Sequence, residues 1–375
     1  MLYWYGPVFP LDLIYNILNY LTILFVLVVI GIKYKTQKNI LLLLIITLLV
    51  PFLINGPLMP WYALSDQSKY LKSVMLLRDL NFTVQEGHIT PAVLSYIWFI
   101  SPIPFIENFN ALGLLNRLYL SLLIIFLIRK KISSTFIYYL ILSPTLLLYS
   151  SVALKESIVV VSTVLAFYCI IEKKYLIFWF PFLILFFCKF QNGYIVLLMY
   201  FTYIYFFNFN SKFKKIINMI LILGILTLLI KYDDKLMFYL NSFSLTFAIE
   251  DVTHSASTNK ENNIQYTSIF DLILKLPEKL VTFFISPFPA ILSPVKLLIF
   301  LENLLVIFFI AVYFQKLSRI DSKHFFYLLI FFLMFSSMYA LTVVNHGTIS
   351  RYKLSFLIPF LFCLFHINKK KLNKR

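Results

Sequence analysis

The sequence predicts an all-α, polytopic integral membrane protein of about eleven transmembrane helices, with re-entrant or interfacial hairpins and two long extracytoplasmic loops. Three observations support this fold class. The 375-residue chain is 61% hydrophobic and only 13% charged, with a mean hydropathy of +0.87. Long apolar runs recur along it, and basic residues cluster in every second loop between them. Ordinary soluble domains and disordered chains contain far fewer apolar residues, so both classes are excluded.

A helix needs about 20 mostly apolar residues to cross the hydrocarbon core of a bilayer. The predicted spans are Leu11–Ile32, Ile40–Leu58, Leu114–Ile128, Thr135–Ser150, Ser157–Ile171, Tyr175–Phe187, Gly193–Phe207, Ile216–Ile230, Leu297–Phe314, Phe325–Val344 and Leu354–His366. An odd number of crossings places the two termini on opposite sides of the membrane. We expect no cleavable signal peptide, because no basic residue precedes the first apolar run.

The basic residues identify the two sides of the membrane, since cytoplasmic loops are enriched in Lys and Arg. The loops after the odd-numbered spans and the C-terminal tail contain nineteen of the 33 cations but two of the 16 anions. These cations are Lys33, Lys35, Lys38, Arg129, Lys130, Lys131, Lys173, Lys174, Lys212, Lys214, Lys215, Lys316, Arg319, Lys323, Lys369, Lys370, Lys371, Lys374 and Arg375. One side therefore carries the whole net charge of +17. The C-terminus is expected in the cytoplasm, and nucleic acid is not expected as a partner.

Two long extracytoplasmic segments are predicted within one transmembrane domain over residues 1–375. The first, 59–113, contains a helix that starts near Ser65 and an apolar stretch, Pro91–Gly113. Prolines and a polar patch favour a re-entrant or surface hairpin for this stretch, because proline interrupts a helix. If the stretch instead crossed the membrane, every later loop would change sides.

The second segment, 231–296, is large for a membrane protein loop, which is typical of a lid or a binding element. Its polar centre includes His254, which we interpret as an exposed polar residue. A helix is predicted over Ser268–Leu280. The sequence Phe284–Pro289 then indicates an abrupt turn at the membrane surface.

Ionisable residues near the extracytoplasmic ends of the spans are the candidate site residues, because charges near hydrocarbon are costly unless they are functional. They are Arg117, Lys155, Glu156, Lys189, His346, Arg351 and Lys353, with the polar Asn345 beside His346 and Asp66 in the first long loop. The alternative is interfacial anchoring, since a lysine can extend to the headgroups. Only six of the 33 cations are Arg, so Arg117 and Arg351 favour bidentate recognition of phosphate or carboxylate.

No metal or cofactor is expected. The three cysteines, Cys169, Cys188 and Cys363, lie in apolar segments without metal-ligand spacing, and neither a phosphate loop nor a zinc-protease motif occurs. Outward-facing cations beneath polar loops suit an anionic amphiphile such as a polyprenyl diphosphate-linked sugar. The cations would stabilise the diphosphate as a leaving group, and a carboxylate or histidine would take the proton from an attacking sugar hydroxyl.

Three short motifs occur in order between Ser151 and the C-terminus. They are Ser151-x-x-x-Lys155-Glu156, then Phe284-x-x-Pro287-x-Pro289 with a downstream Glu302-Asn303, then Asn345-x-Gly347-Thr348-x-x-Arg351-x-Lys353. Together they resemble the bacterial O-antigen polymerase (Wzy-type) class of polysaccharide polymerases. The resemblance implies a glycosyltransferase-type enzyme that joins undecaprenyl diphosphate-linked repeat units of lipopolysaccharide or capsule, without metal or nucleotide, outside the inner membrane of a bacterium.

The resemblance also implies roles and partners. Lys155, Arg351 and Lys353 would handle the diphosphate or the sugar, with Glu156 as their partner or as the base. Lys189 stands where an arginine is expected, so it would act as a point charge. The implied partners are the lipid-linked glycan, membrane lipid and a chain-length regulator protein.

Two other functions fit part of the pattern. In a GT-C type glycosyltransferase, Asp66 would be the catalytic base and the donor would be a polyprenyl phosphate-linked single sugar. GT-C proteins usually place this acidic loop directly after the first span, whereas here it follows the second. A flippase or transporter would have charges midway along its spans, and these span centres are nearly free of charge.

Overall fold

The computed structural model describes residues 10–58, 65–80, 89–208, 235, 237–242, 266–287, 294–343 and 346–372. Within these ranges the regular structure is helical and no strand occurs, which confirms the all-α fold class. The helices are α1 (Pro10–Lys33), α2 (Lys38–Thr47), α3 (Val50–Ile54), α4 (Ser65–Arg78), α5 (Ile89–Phe99), α6 (Phe109–Arg129), α7 (Ser134–Leu142), α8 (Pro144–Ser150), α9 (Glu156–Ile171), α10 (Tyr175–Cys188), α11 (Phe190–Asn208), α12 (Ile269–Ile285), α13 (Pro294–Ile320), α14 (Ser322–Thr342) and α15 (His346–Leu372).

Five of these helices, α1, α6, α13, α14 and α15, are long and apolar enough to cross a membrane. Shorter apolar helices cover Lys38–Ile54, Glu156–Ile171 and Tyr175–Cys188. This is the architecture of a helical membrane protein. Eleven crossings stay a prediction, and the predicted span Ile216–Ile230 lies outside the described residues.

Two predicted spans are interrupted where the sequence suggested continuous helices, and proline is the physical reason. The span predicted over Thr135–Ser150 is α7 followed by α8, because Pro144 disfavours helical backbone at Ser143. Ser143 instead caps α8, its hydroxyl accepting a hydrogen bond from the Leu146 N–H at 3.1 Å. The span predicted over Ile40–Leu58 is likewise divided into α2 and α3, with Pro51 in the first turn of α3.

The stretch Pro91–Gly113 is not one continuous helix. It consists of most of α5, which has 11 residues and is therefore only about 16 Å long, then the non-helical residues 100–108, then the start of α6. Asn19 exchanges two hydrogen bonds with the Phe105 backbone, at 2.6 and 3.1 Å. Arg78 donates to the carbonyls of Ile103 and Pro104 at 2.7 and 2.8 Å. Side chains therefore hold this non-helical backbone in place.

By its internal contacts the chain divides into two compact units. Unit 1 is Met1–Val196 with Leu361–Arg375, and unit 2 is Leu197–Phe360. The single transmembrane domain over 1–375 and the loop segments 59–113 and 231–296 stay predictions.

In unit 1, helices α1, α6 and α9 run in the same direction. The Arg129 guanidinium at the end of α6 lies 5.0 Å from the centre of the Tyr34 ring, just after α1. Phe126 of α6 meets Tyr168 near the end of α9, with ring centroids 5.1 Å apart. Glu172, just beyond α9, contacts Lys370 near the end of α15 at 3.1 Å. The clusters of basic residues that follow these helices therefore lie at one end of unit 1, which we call the basic end.

In unit 2, α14 and α15 pack against each other through phenylalanine. Phe331, Phe332 and Phe335 of α14 meet Phe356 and Phe360 of α15, with ring centroids 5.3 to 6.1 Å apart. Such contacts bury large apolar areas and hold α14 against α15.

Candidate functional site

The linker between α8 and α9, residues Ser151–Lys155, is a non-helical segment of unit 1. Its first four residues are fully buried. Non-helical backbone inside a membrane protein is tolerated only where protein or water satisfies its polar groups. The buried polar groups of the linker therefore need partners in the protein. The linker also contains most of the first sequence motif, Ser151-x-x-x-Lys155-Glu156.

Three side-chain amides satisfy the linker backbone. Asn116 of α6 donates to the carbonyls of both Val152 and Leu154 at 2.8 Å. Asn55 donates to the Ser151 carbonyl at 3.0 Å. In addition, the Gln67 carbonyl oxygen accepts from the Ala153 N–H at 2.9 Å. None of the three amides is among the predicted site residues. Asn55 and Asn116 lie inside predicted spans, where a polar amide is a signal of such a role.

Gly113 allows α6 to approach the linker closely. A Cβ atom at this position would lie 2.2 Å from the Ser151 carbonyl oxygen. This distance is too short for any residue with a side chain. The glycine is thus required by a close backbone approach.

Arg117 follows Asn116 on α6 and is fully buried. Its Nη1 donates to the Ser150 hydroxyl at 2.8 Å. Its Nε and Nη2 are buried and have no hydrogen-bond acceptor within the part of the chain that the structure describes. In the same part of the chain no carboxylate forms an ion pair with it. Such a side chain has donors left for an anion. Recognition of phosphate or carboxylate by Arg117 stays a prediction.

Glu156 and Lys155 flank the start of α9. Glu156 lies in the first turn and is 2% exposed, whereas Lys155 is half-buried. The Lys155 ammonium also lies within electrostatic reach of Cys188, the last residue of α10. Lys189 follows directly and is buried. The structure thus brings Lys155, Glu156 and Lys189 to one end of α9 and α10, opposite the basic end.

Asp66 lies in the first turn of α4, with its carboxylate 4.0 Å from Lys69. Its neighbour Gln67 holds the linker, so α4 begins close to the linker. We call Arg117, Lys155, Glu156 and Lys189, with the linker itself, the linker cluster; Asp66 lies at its periphery.

Unit 2 contains a separate polar cluster around Lys353, which is 2% exposed. Its ammonium donates to the carbonyls of Phe284 and Ser286, the former at 3.3 Å. Asn303 donates to the same Ser286 carbonyl at 2.8 Å, and buried Glu302 interacts electrostatically with Lys353. The second and third sequence motifs therefore meet in unit 2. This geometry gives Lys353 a positioning role at the end of α12.

The remaining site residues of unit 2 lie close to Lys353 in sequence. Arg351 is half-buried on α15, two residues before Lys353. His346 is the first residue of α15. Asn345 lies outside the described residues, and so does His254.

The site has no metal-binding geometry in the described ranges, where no group of three or more His, Cys, Asp or Glu could hold an ion. The polar side chains that this part of the structure gathers are cations, carboxylates, amides and hydroxyls. Ser151 and Ser157 add buried hydroxyls on either side of Glu156.

Comparison of the chain with protein-family models, with curated proteins and with solved structures gives no match.

Proposed function

We propose that this protein is an enzyme of the bacterial inner membrane that polymerises polyprenyl diphosphate-linked oligosaccharide repeat units on the extracytoplasmic face. The observation that carries the proposal is the fully buried guanidinium of Arg117, two of whose nitrogens, Nε and Nη2, have no protein acceptor among the described residues. A planar fork of this kind matches the oxygens of a diphosphate.

The proposed reaction is a glycosyl transfer. A hydroxyl of the acceptor sugar forms a bond to the anomeric carbon of the donor, whose bond to the diphosphate oxygen breaks. Glu156 takes the hydroxyl proton, and the lipid diphosphate leaves with its negative charge stabilised by Arg117, Lys155 and Lys189. The bond to the diphosphate supplies the energy, so the reaction needs no nucleotide.

The charge pattern supports an orientation in which the linker cluster faces away from the cytoplasm. In unit 1 the basic end lies opposite the linker cluster, and basic ends of membrane proteins face the cytoplasm. The linker cluster would then face outward, with the C-terminus in the cytoplasm. Membrane lipid and a chain-length regulator protein are the further partners that we propose.

The test compares Arg117→Met and Arg117→Lys in proteoliposomes supplied with lipid diphosphate-linked oligosaccharide, with product length read on a gel. We expect Arg117→Met to lower the polymerisation rate on the order of 100-fold, because a charge that stabilises the leaving group is lost. Arg117→Lys keeps the charge and should retain partial activity. Arg129→Met, at the basic end, is the matched control and should leave the rate unchanged.

Protein level and thermal unfolding in detergent separate a folding defect from a catalytic one. If a folded Arg117→Met variant made polymer of wild-type length, the assignment of Arg117 to a diphosphate site would be wrong. A parallel measurement on Arg351→Ala tests unit 2, where we expect loss of chain extension with a normal protein level in the membrane.

A GT-C type glycosyltransferase is the second candidate, and the hydrogen bond between Gln67 and Ala153 favours it, because this bond brings the Asp66 helix to the linker. Glu156→Gln and Asp66→Asn distinguish the two. The GT-C reaction would be favoured if only Asp66→Asn lost transfer and if a polyprenyl monophosphate-linked sugar were the effective donor. Loss in Glu156→Gln with a diphosphate-linked donor supports the polymerase.

A further inference from the structure

Helix α12 in unit 2 has three different faces. One face packs inward: Leu272 and Leu276 contact the buried cluster of Met237, Tyr266 and Leu341. A second face carries Asp271, Lys275, Glu278 and Lys279, with Asp271 and Lys275 paired at 3.0 Å. The third face is apolar and exposed. It consists of Phe270, Ile273, Leu274 and Val281, whose exposed fractions are 80%, 55%, 79% and 58%.

The two ends of α12 lie at different levels along α14. Just before α12, the Tyr266 hydroxyl donates to the carbonyl of Leu341 at 3.1 Å, next to the end of α14. At the other end, Phe284 stacks on Phe332, with ring centroids 5.1 Å apart. Phe332 is the central residue of α14, and α14 is long and apolar enough to cross a membrane.

These contacts incline α12 steeply to α14. From Leu341 to Phe332 the distance along α14 is about 13 Å, whereas α12 is about 22 Å long from Ile269 to Phe284. The inclination takes the C-terminal end of α12 to the level of the middle of α14. Lys353 and Asn303 hold the Ser286 carbonyl at that level.

Polarity changes along α12 in the same direction. All four charged residues lie between Ile269 and Lys279, and none lies between Leu280 and Ile285. Val281, in this uncharged part, is still exposed. At the level of the middle of a membrane span, an exposed apolar side chain faces hydrocarbon, which is favourable for it, and not water.

We propose that α12 enters the bilayer obliquely from the side where α14 ends, so that its exposed apolar face contacts lipid acyl chains. Its charged face then lies in the headgroup layer, where Lys and acidic side chains remain hydrated. The occupant of the apolar face is bilayer lipid. This inference concerns the placement of α12 and does not depend on the proposed enzymatic activity.

The test places spin labels on Leu274→Cys, Val281→Cys and Glu278→Cys in the full chain, reconstituted into phosphatidylcholine–phosphatidylglycerol vesicles. Accessibility to oxygen, which concentrates in hydrocarbon, is compared with accessibility to a water-soluble nickel chelate. Val312→Cys on α13, half exposed in a span, is the hydrocarbon reference. The unsubstituted protein, whose three cysteines are buried, gives the labelling background.

We expect the oxygen-to-nickel ratio at residues 274 and 281 to be severalfold above that at residue 278, with residue 281 closest to the reference. Nickel accessibility at 274 and 281 equal to that at 278 would place α12 in water and overturn the proposal. Protection of 274 and 281 from both reagents would mean a protein partner on this face and would also overturn it. The unfolding temperature of each labelled variant is compared with that of the unsubstituted protein. Equal temperatures establish that the labels report on the native fold.

Discussion

A buried guanidinium is stable in a membrane protein only if its N–H groups meet acceptors or a wet or anionic site. In Arg117 the nitrogen Nη1 donates to the Ser150 hydroxyl, and the nitrogens Nε and Nη2 have no protein acceptor among the described residues. Lys353, by contrast, directs its ammonium at two carbonyls. The two buried cations therefore differ: Lys353 is bonded to backbone carbonyls, whereas Arg117 keeps two nitrogens for the ligand that we propose.

Glu172 at the basic end gives a prediction about pH. Burial would raise the pKa of its carboxyl, but hydrogen bonds from His366 at 2.8 Å and Lys370 at 3.1 Å outweigh burial and hold the pKa below its ordinary value of 4.5. A pKa that is lower in the folded than in the unfolded state stabilises the fold above about pH 4.5, and this contribution is lost as the pH falls through the folded pKa.

We therefore expect the unfolding temperature in detergent to fall more steeply below pH 4.5 for the native protein than for Glu172→Gln, and the two curves to converge at low pH. Asp79→Asn removes an exposed carboxylate at the end of α4 and is the matched control. Parallel curves for the native protein and Glu172→Gln over the whole range would contradict the role of Glu172.

Single residues differ in how far the sequence predicts them. Arg117 stands out because the chain uses arginine sparingly. Asn116 is a polar amide inside a predicted span, but neither its partners nor those of Gln67 can be read from the sequence. The groups that they bind are backbone carbonyls and an N–H at positions 152–154, and such a pairing becomes visible only after folding.

At the basic end, α1, α6 and α9 each end in the same type of turn. Lys35, Lys131 and Lys173 each have positive φ, of 52°, 54° and 57°. After each helix the next N–H groups bond back in the same pattern, for example Lys131 N–H to the Ile128 carbonyl at 2.8 Å and Ile132 N–H to the Leu127 carbonyl at 3.1 Å. This is the Schellman motif, in which glycine is usual at the left-handed position.

Lysine at a left-handed position retains strain that glycine would not have. We expect Lys131→Gly to raise the free energy of unfolding by about 0.5–1 kcal/mol. Lys131→Val should lower it, because a β-branched side chain adopts this conformation poorly. Chemical denaturation in detergent measures both; equal stability of the two variants would contradict the strain argument.

Among the elements, the uninterrupted apolar helices are the most predictable. α1, α6, α9 and α10 begin and end within a few residues of the predicted bounds, apart from the earlier start of α6. The interruptions α2/α3 and α7/α8 are less predictable, because mean hydropathy is insensitive to a single proline such as Pro51 or Pro144.

At the scale of the whole chain, the net charge of +17 lies in the segments after the odd-numbered predicted spans and in the C-terminal tail. In unit 1 the contacts Arg129–Tyr34 and Glu172–Lys370 join basic segments that are far apart in sequence. The charge distribution and the contacts thus agree that these segments share one end.

Cysteine labelling tests the orientation. In spheroplasts treated with a membrane-impermeant maleimide, we expect Lys69→Cys on α4 to be labelled and Lys130→Cys to be labelled only after permeabilisation. His254→Cys, in the second long segment, should behave like Lys69→Cys. Labelling of Lys130→Cys in intact spheroplasts would reverse the proposed orientation, since basic ends face the cytoplasm.

The sequence by itself determined the helical membrane class and most helix positions. It also separated the basic loops from the segments without net charge, because hydropathy and charge act locally along the chain. Tertiary structure alone decided which polar residues meet. It joined Asn116 to the linker, gathered Lys353, Asn303 and Ser286 into one cluster, and inclined α12 against α14. These contacts connect residues distant in sequence, and their partners are mainly backbone carbonyls, which every residue carries and no sequence pattern distinguishes.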